Sequence, residues 1–154
     1  ASMAGYIGSL NSKSPKAVLN EVSTLVLNSG MTPEQLRTTG QICMASGYQS
    51  DKMPAALGGA LLLTALGERP YAELVGHHLH GGFGTDDNAD MALAWYEVAI
   101  SALDGGAAPV FALSQAERID VVRKAALGLA GHDVTTPVPA ASTGTTMPVF
   151  TLSE

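Results

Sequence analysis

The chain has 154 residues with 8 Lys and Arg against 14 Asp and Glu, for a formal charge of −6, a length that suits one domain or one short repeat array. That balance argues against nucleic acid as a partner, because phosphate-backbone binding needs clustered cations. Only 14% of residues are charged and mean hydropathy is +0.19, where an average domain has about 25% charged residues; a homo-oligomer or a permanent partner that covers surface is therefore expected.

At the start, Ala1-Ser2 ahead of Met3 predicts Met3 as the natural first residue and a cytoplasmic protein; a leader removed before residue 3 would make it secreted or periplasmic. The first expected helix covers 15–28. Ser14-Pro15 offers a hydroxyl at the N-cap and a proline at the first helical position, where no N–H is needed, and Val18, Val22 and Leu25 share one face.

Thr32-Pro33 repeats this punctuation for a helix over 33–46, and Thr32 with Gln35 has capping-box spacing. Cys43, the single cysteine, has no partner for a disulfide and reads as a small buried apolar residue. A third helix is expected over 54–66; its apolar run ends at Gly67, Glu68 and Arg69, well short of the roughly 20 residues that span a bilayer. No membrane insertion is expected.

Helices over 70–80 and 88–103 follow, joined by a glycine-rich turn, and the last covers 115–130, with Ser114 and Glu117 at capping-box spacing and Ile119, Val122, Ala126 and Leu129 on one face. Gly30, Gly67, Gly81, Gly105 and Gly131 stand where left-handed C-terminal caps are wanted. No segment alternates apolar and polar residues for long, so the expected class is all-α with about six helices. Residues 132–154, rich in Pro and Thr, cannot continue a helix; "MPVFTL" at 147–152 is nevertheless apolar enough to want a groove or a neighbouring chain, and an extended tail, frayed or docked, is expected.

Sliding 35–67 forward by 36 positions aligns Gly40 with Gly76, Asp51 with Asp87, Ala56 with Ala92 and Leu57 with Leu93. Glycine inside a first helix, an acid before a second and small residues inside it are what close helix-pair packing requires. The clearer copy, 71–103, carries Val75-Gly76, Leu79, Gly82-Phe83-Gly84, Asp87, Ala92, Trp95-Tyr96 and Ala99.

In these residues the chain resembles the Sel-one-like repeat family, relatives of the tetratricopeptide repeat. It departs from the family pattern at Val75, Thr85 and Ile100, and the degenerate copy 35–67 has Gly59-Ala60 where tryptophan-tyrosine would stand. The resemblance implies a short α/α solenoid of antiparallel helix pairs over 14–131, capped by helices 15–28 and 115–130, that acts as an adaptor. It gives Gly76, Gly82, Gly84, Ala92, Trp95 and Tyr96 structural roles. A partner protein or peptide is expected in the groove of the first helices, near Gln41, Met44, His77, His78 and His80.

Sharper chemistry is disfavoured. His77 and His80 share a helical face while His78 points about 100° away, and no cysteine or acid is read as completing a metal site. The three are expected to be partly exposed helix residues. Asp86, Asn88, Asp90 and Glu97 imitate a calcium loop, but Met91 stands where that loop needs glycine, so Asp87 or Asn88 reads better as a helix N-cap. The glycines do not spell a phosphate loop, and no nucleophile motif occurs. No cofactor, metal or catalytic residue is expected. The alternatives are a metal-assisted hydrolase using His77, His80 and Asp87, and a structural oligomer whose segment Met147–Leu152 crosses to a neighbour.

Overall fold

The computed structural model describes residues 3–111 and 118–129; among them the chain forms seven α-helices and one 3₁₀ turn, with no strand. The all-α class is therefore the observed one. Helix starts lie where local chemistry puts them. α2 (Pro15–Asn28) begins at Ser14, whose hydroxyl accepts from the Ala17 N–H. α3 (Pro33–Gln49) begins with a complete capping box: Gln35 N–H donates to Thr32 Oγ1 at 3.2 Å and Thr32 N–H to Gln35 Oε1 at 2.9 Å. α6 (Ala89–Asp104) is capped by Asn88, not Asp87, with Met91 N–H donating to Asn88 Oδ1 at 3.1 Å.

The elements differ from expectation in five places. A short helix α1 (Ala4–Ser9) precedes α2, so the count is seven, not six. α3 runs beyond residue 46 because Gly47, a helix breaker by propensity, is buried against α4 (Met53–Ala65). The expected helix 70–80 is a 3₁₀ turn (Arg69–Tyr71) followed by α5 (Ala72–Gly81). The left-handed caps expected at Gly81 and Gly105 (φ −76°) each fall one residue later, on Gly82 (φ 67°) and Gly106 (φ 92°). α7 is Arg118–Leu129; the Ser114–Glu117 cap, Gly131 and segment 132–154 lie outside the described residues. Among the described residues, no helix is long and apolar enough to cross a membrane.

α4 occupies the centre. Every residue from Ala56 to Thr64 is buried, as expected of a helix that is apolar all round, and α4 meets α1, α2, α3 and α5. Its one buried hydroxyl, Thr64, donates to Ala60 O at 2.8 Å, which satisfies it within the helix. Around α4 the core gathers Val18, Leu19 and Val22 of α2, Val75 and Leu79 of α5, Trp95, Tyr96 and Ala99 of α6, and Val122 and Ala126 of α7. Each large apolar side chain buried this way contributes about 1.5–3 kcal/mol relative to exposure.

The most extensive helix contacts are α3 along α4 and α5 along α6, and α7 packs on α6. Backbones meet directly in the first pair. A Cβ on Gly59 would stand 2.5 Å from Gly40 O and 2.7 Å from Met44 N, and one on Gly47 would stand 2.4 Å from Ala56 N. In the second pair Gly76, which the 36-residue shift aligns with Gly40, receives the Tyr96 ring, 2.8 Å from where a Cβ would be. The α5–α6 turn is pinned at Gly84 (φ 73°), whose missing Cβ leaves room for the Met53–Pro54 peptide at 2.7 Å. Asn11 Nδ2 donates to Thr85 Oγ1 at 3.1 Å and ties the same turn to the α1–α2 connection.

Gly59→Val is expected to lower the unfolding free energy by about 1–3 kcal/mol or more, since backbone atoms and not flexible side chains stand in the way. Gly8→Ala, where nothing lies within 4 Å of an added Cβ, should be neutral or stabilising by up to about 1 kcal/mol. Urea denaturation midpoints of the two variants check this, and similar midpoints would contradict the packing described.

Candidate functional site

α2 and α3 both lean on α4 but leave a gap between them. The result is a groove of about 530 Å³ with α4 as its floor, a volume within the usual range for binding sites, about 300–1,000 Å³. Pro54, Ala55, Gly58, Gly59 and Leu62 form the floor, Leu25 and Val26 one wall, and Leu36, Thr39 and Cys43 the other. Met3 and Met31 also line it, and Asn28 and Ser29 supply polar groups near one end of α2. No Asp, Glu, Lys, Arg or His is among the lining residues. Large apolar side chains stand exposed beside it in sequence: Leu27, 82% exposed, lies between Val26 and Asn28, and Ile42, 61% exposed, precedes Cys43.

Cys43 is exposed in this wall, which corrects the expectation that it would be buried. The reason is that α3 turns Gly40, Met44 and Gly47 toward α4, while Leu36, Thr39 and Cys43, at i, i+3 and i+7, look into the gap beside α2. That spacing is the signal in the sequence that would have found the groove, together with the absence of charge from Thr38 to Ser50 and the adjacent Gly58-Gly59 on the next helix.

The three histidines of α5 go to three different surroundings. His78 is buried, against the expectation of partial exposure, because it clasps two distant pieces of chain. Its Nδ1 lies 2.5 Å from Phe83 O and its Nε2 2.8 Å from Tyr48 Oη. A carbonyl only accepts, so Nδ1 carries the proton and Nε2 accepts from the Tyr48 hydroxyl. Burial, more than any other influence, holds the His78 pKa below the ordinary 6.5, against the raising effect of the Phe83 carbonyl and with His77 lowering it further.

His77 is half-exposed and links two other residues. Its Nε2 lies 3.1 Å from Glu73 Oε1 and its Nδ1 2.6 Å from Tyr96 Oη. The carboxylate accepts from Nε2–H, so Nδ1 accepts from the Tyr96 hydroxyl. Burial, reinforced by Glu73, pushes the Tyr96 pKa up to about 12, which keeps that hydroxyl protonated as the donor. The acid overlooked in the sequence is Glu73, one turn before His77 on the same face. With both ring nitrogens engaged, His77 orients side chains and presents no free lone pair.

His80 is exposed. Among the described residues, no three His, Cys, Asp or Glu side chains gather closely enough to hold a metal ion, so His77, His80 and Asp87 do not form a cluster. Asp90 and Glu97 lie along α6, away from loop geometry.

Arg37 pairs with Glu68, and Tyr48 meets His78. Successive positions along α3 thus meet successive positions from Glu68 to His78, so α3 and α5 run in the same direction. Met44 is half-buried with its backbone N and Cβ on Gly59. None of Gln41, Met44, His77, His78 or His80 lines the groove; His78 meets α3 through Tyr48 instead. Gly76, Ala92, Trp95 and Tyr96 are buried between α5 and α6, and Gly82 and Gly84 shape the turn that joins them. Comparison with protein-family models, curated protein sequences and solved structures found no match to this chain.

The lowered pKa of His78 fixes a sign. Below 6.5 the unfolded chain takes up a proton that the folded chain resists, so this contribution to stability is present above 6.5 and is lost as pH falls toward the folded pKa. His78→Asn should cost about 1 kcal/mol near pH 8 through the lost Tyr48 bond. The difference from wild type should shrink as pH falls from 7 toward 5. A pH series of denaturation midpoints for both proteins reads this, and a gap that stays constant would contradict the buried, neutral His78.

Proposed function

We propose that this protein is a helical-repeat interaction module that seats an uncharged, apolar segment of a partner protein in the groove between α2 and α3. The observation that carries the reading is the groove itself: open, apolar, floored by the most buried helix of the fold and lined by no charged side chain. Apolar walls with a few polar groups near one end suit a short peptide whose apolar side chains enter the groove while its backbone finds Asn28, Ser29 and Thr39. Met31, exposed and part of the lining, adds to the apolar surface a partner would cover. The low charge of the chain favours the same role, and self-association through this face fits it too.

The solenoid reading is supported by the direction shared by α3 and α5 and by the matched glycines. Gly40 lies close to Leu63 and the Gly59 carbonyl of α4, and Gly76 lies close to Tyr96 of α6, one repeat later. The pairs α3–α4 and α5–α6 then stand as two successive units, with α1–α2 before them and α7 after, as in the Sel-one-like arrangement. In that reading the partner sits on the side of α3 that faces α2, and the α3–α5 face is held shut by Tyr48 and His78.

Immobilised twelve-residue peptides that are uncharged and apolar, probed beside versions carrying two added acids, test this directly. The full chain should retain the uncharged set and reject the acidic one. Ala55→Trp, at an exposed floor position, should lose retention without a change in circular dichroism. Equal retention of both sets, or by both proteins, would overturn the reading.

A further inference from the structure

The groove and the far end of the sequence share one chemistry. From Val134 to Ser153 there is no charged residue, and the apolar side chains of that run end in Met147, Val149, Phe150 and Leu152. The groove is likewise mostly apolar, and among the described residues no charged side chain lines it. The two are also within reach of each other. The 17 residues from 130 to 146 span about 55 Å when extended, whereas a domain of about 100 residues has a radius of gyration of about 13 Å. Wherever α7 ends on such a body, the stretch beginning at Met147 reaches the gap between α2 and α3.

Resting on the groove reading above, we propose that the groove's first ligand is the chain's own segment Met147–Leu152, docked within the same molecule and competing with the partner peptide. Tethering raises the local concentration of the segment to about the millimolar range, so even a weak docked segment sets a threshold that a partner must exceed. The fit is one of kind: a short segment with apolar side chains at 147, 149, 150 and 152, prolines at 137, 139 and 148 that disfavour a helix, and no charge to desolvate. A partner that displaces it meets the same walls.

Cys43 makes the arrangement testable, since it is the chain's only cysteine and stands in the groove wall. Pro148→Cys and Thr151→Cys each add one thiol to the segment and keep its four apolar side chains; Ser142→Cys adds one on the preceding linker. Under mild oxidation of the full chain, read by intact mass and gel without reductant, an intramolecular disulfide to Cys43 should form roughly tenfold faster or more from position 148 or 151 than from 142. Combining either variant with Ala55→Trp should remove the advantage.

Phe150→Asp in the otherwise natural chain should raise retention on the uncharged peptides. Equal disulfide rates from all three positions, or a disulfide that links two chains, overturns the proposal. If Phe150→Asp leaves retention unchanged while the natural chain binds the peptides, self-docking fails and the groove reading stands. If neither protein binds them, the groove reading itself fails.

Discussion

The contact on which the rest of the structure depends is the near-touching of two helix backbones, α3 and α4. Gly59 occupies a place where a Cβ would stand 2.5 Å from the Gly40 carbonyl, and Gly47 one where a Cβ would strike the Ala56 backbone. Close approach lets α4 bury every residue from Ala56 to Thr64, and the dispersion gained along such a seam is the sum of many small contacts. It also explains why α4 has Gly59-Ala60 where α6 has Trp95-Tyr96. In α3–α4 the space that a large side chain would fill is taken by the opposing backbone. In α5–α6, Gly76 instead makes room for the Tyr96 ring.

The same geometry sets α3 against two neighbours in different ways. Drawn close to α4, α3 meets the start of the next pair through Arg37–Glu68 and Tyr48–His78, and it stands apart from α2. One side is closed by polar contacts and the other is left open and apolar. Of the histidines, His78 belongs to the closed side. His78 joins α3 to α5 and to the α5–α6 turn, and His77 joins α5 to Tyr96 of α6. Their roles follow from the need of buried hydroxyls and ring nitrogens for partners, and the unusual trio in the sequence has a structural use for two of its members.

Much of the secondary structure was legible because its causes are local. Ser14-Pro15, Thr32-Pro33 with Gln35, and Asn88 act on amides within three residues, and each cap stands in the structure. α1 was not legible: its six residues include Gly5 and Gly8, and no side chain caps it. Neither were the burial of His78 and the exposure of Cys43, since both are decided by partners far along the chain. His78 is buried because Tyr48, 30 positions away, closes over it. Cys43 is exposed because α2 does not reach α3. The sequence displays apolar spacing on α3, but which of its two small-residue faces receives a helix is settled only by packing.

The central claim, that α4 is the pillar of the fold and that the α2–α3 side is the open one, is tested most directly by residue-level native-state hydrogen exchange. The amides of Leu57 to Leu63 should exchange only through global unfolding, with the highest opening free energy in the chain, while those of Leu25 to Ser29 at the groove edge should open locally at much lower cost. Exchange of the α4 amides through a local opening as cheap as that of the α2 end would contradict the account.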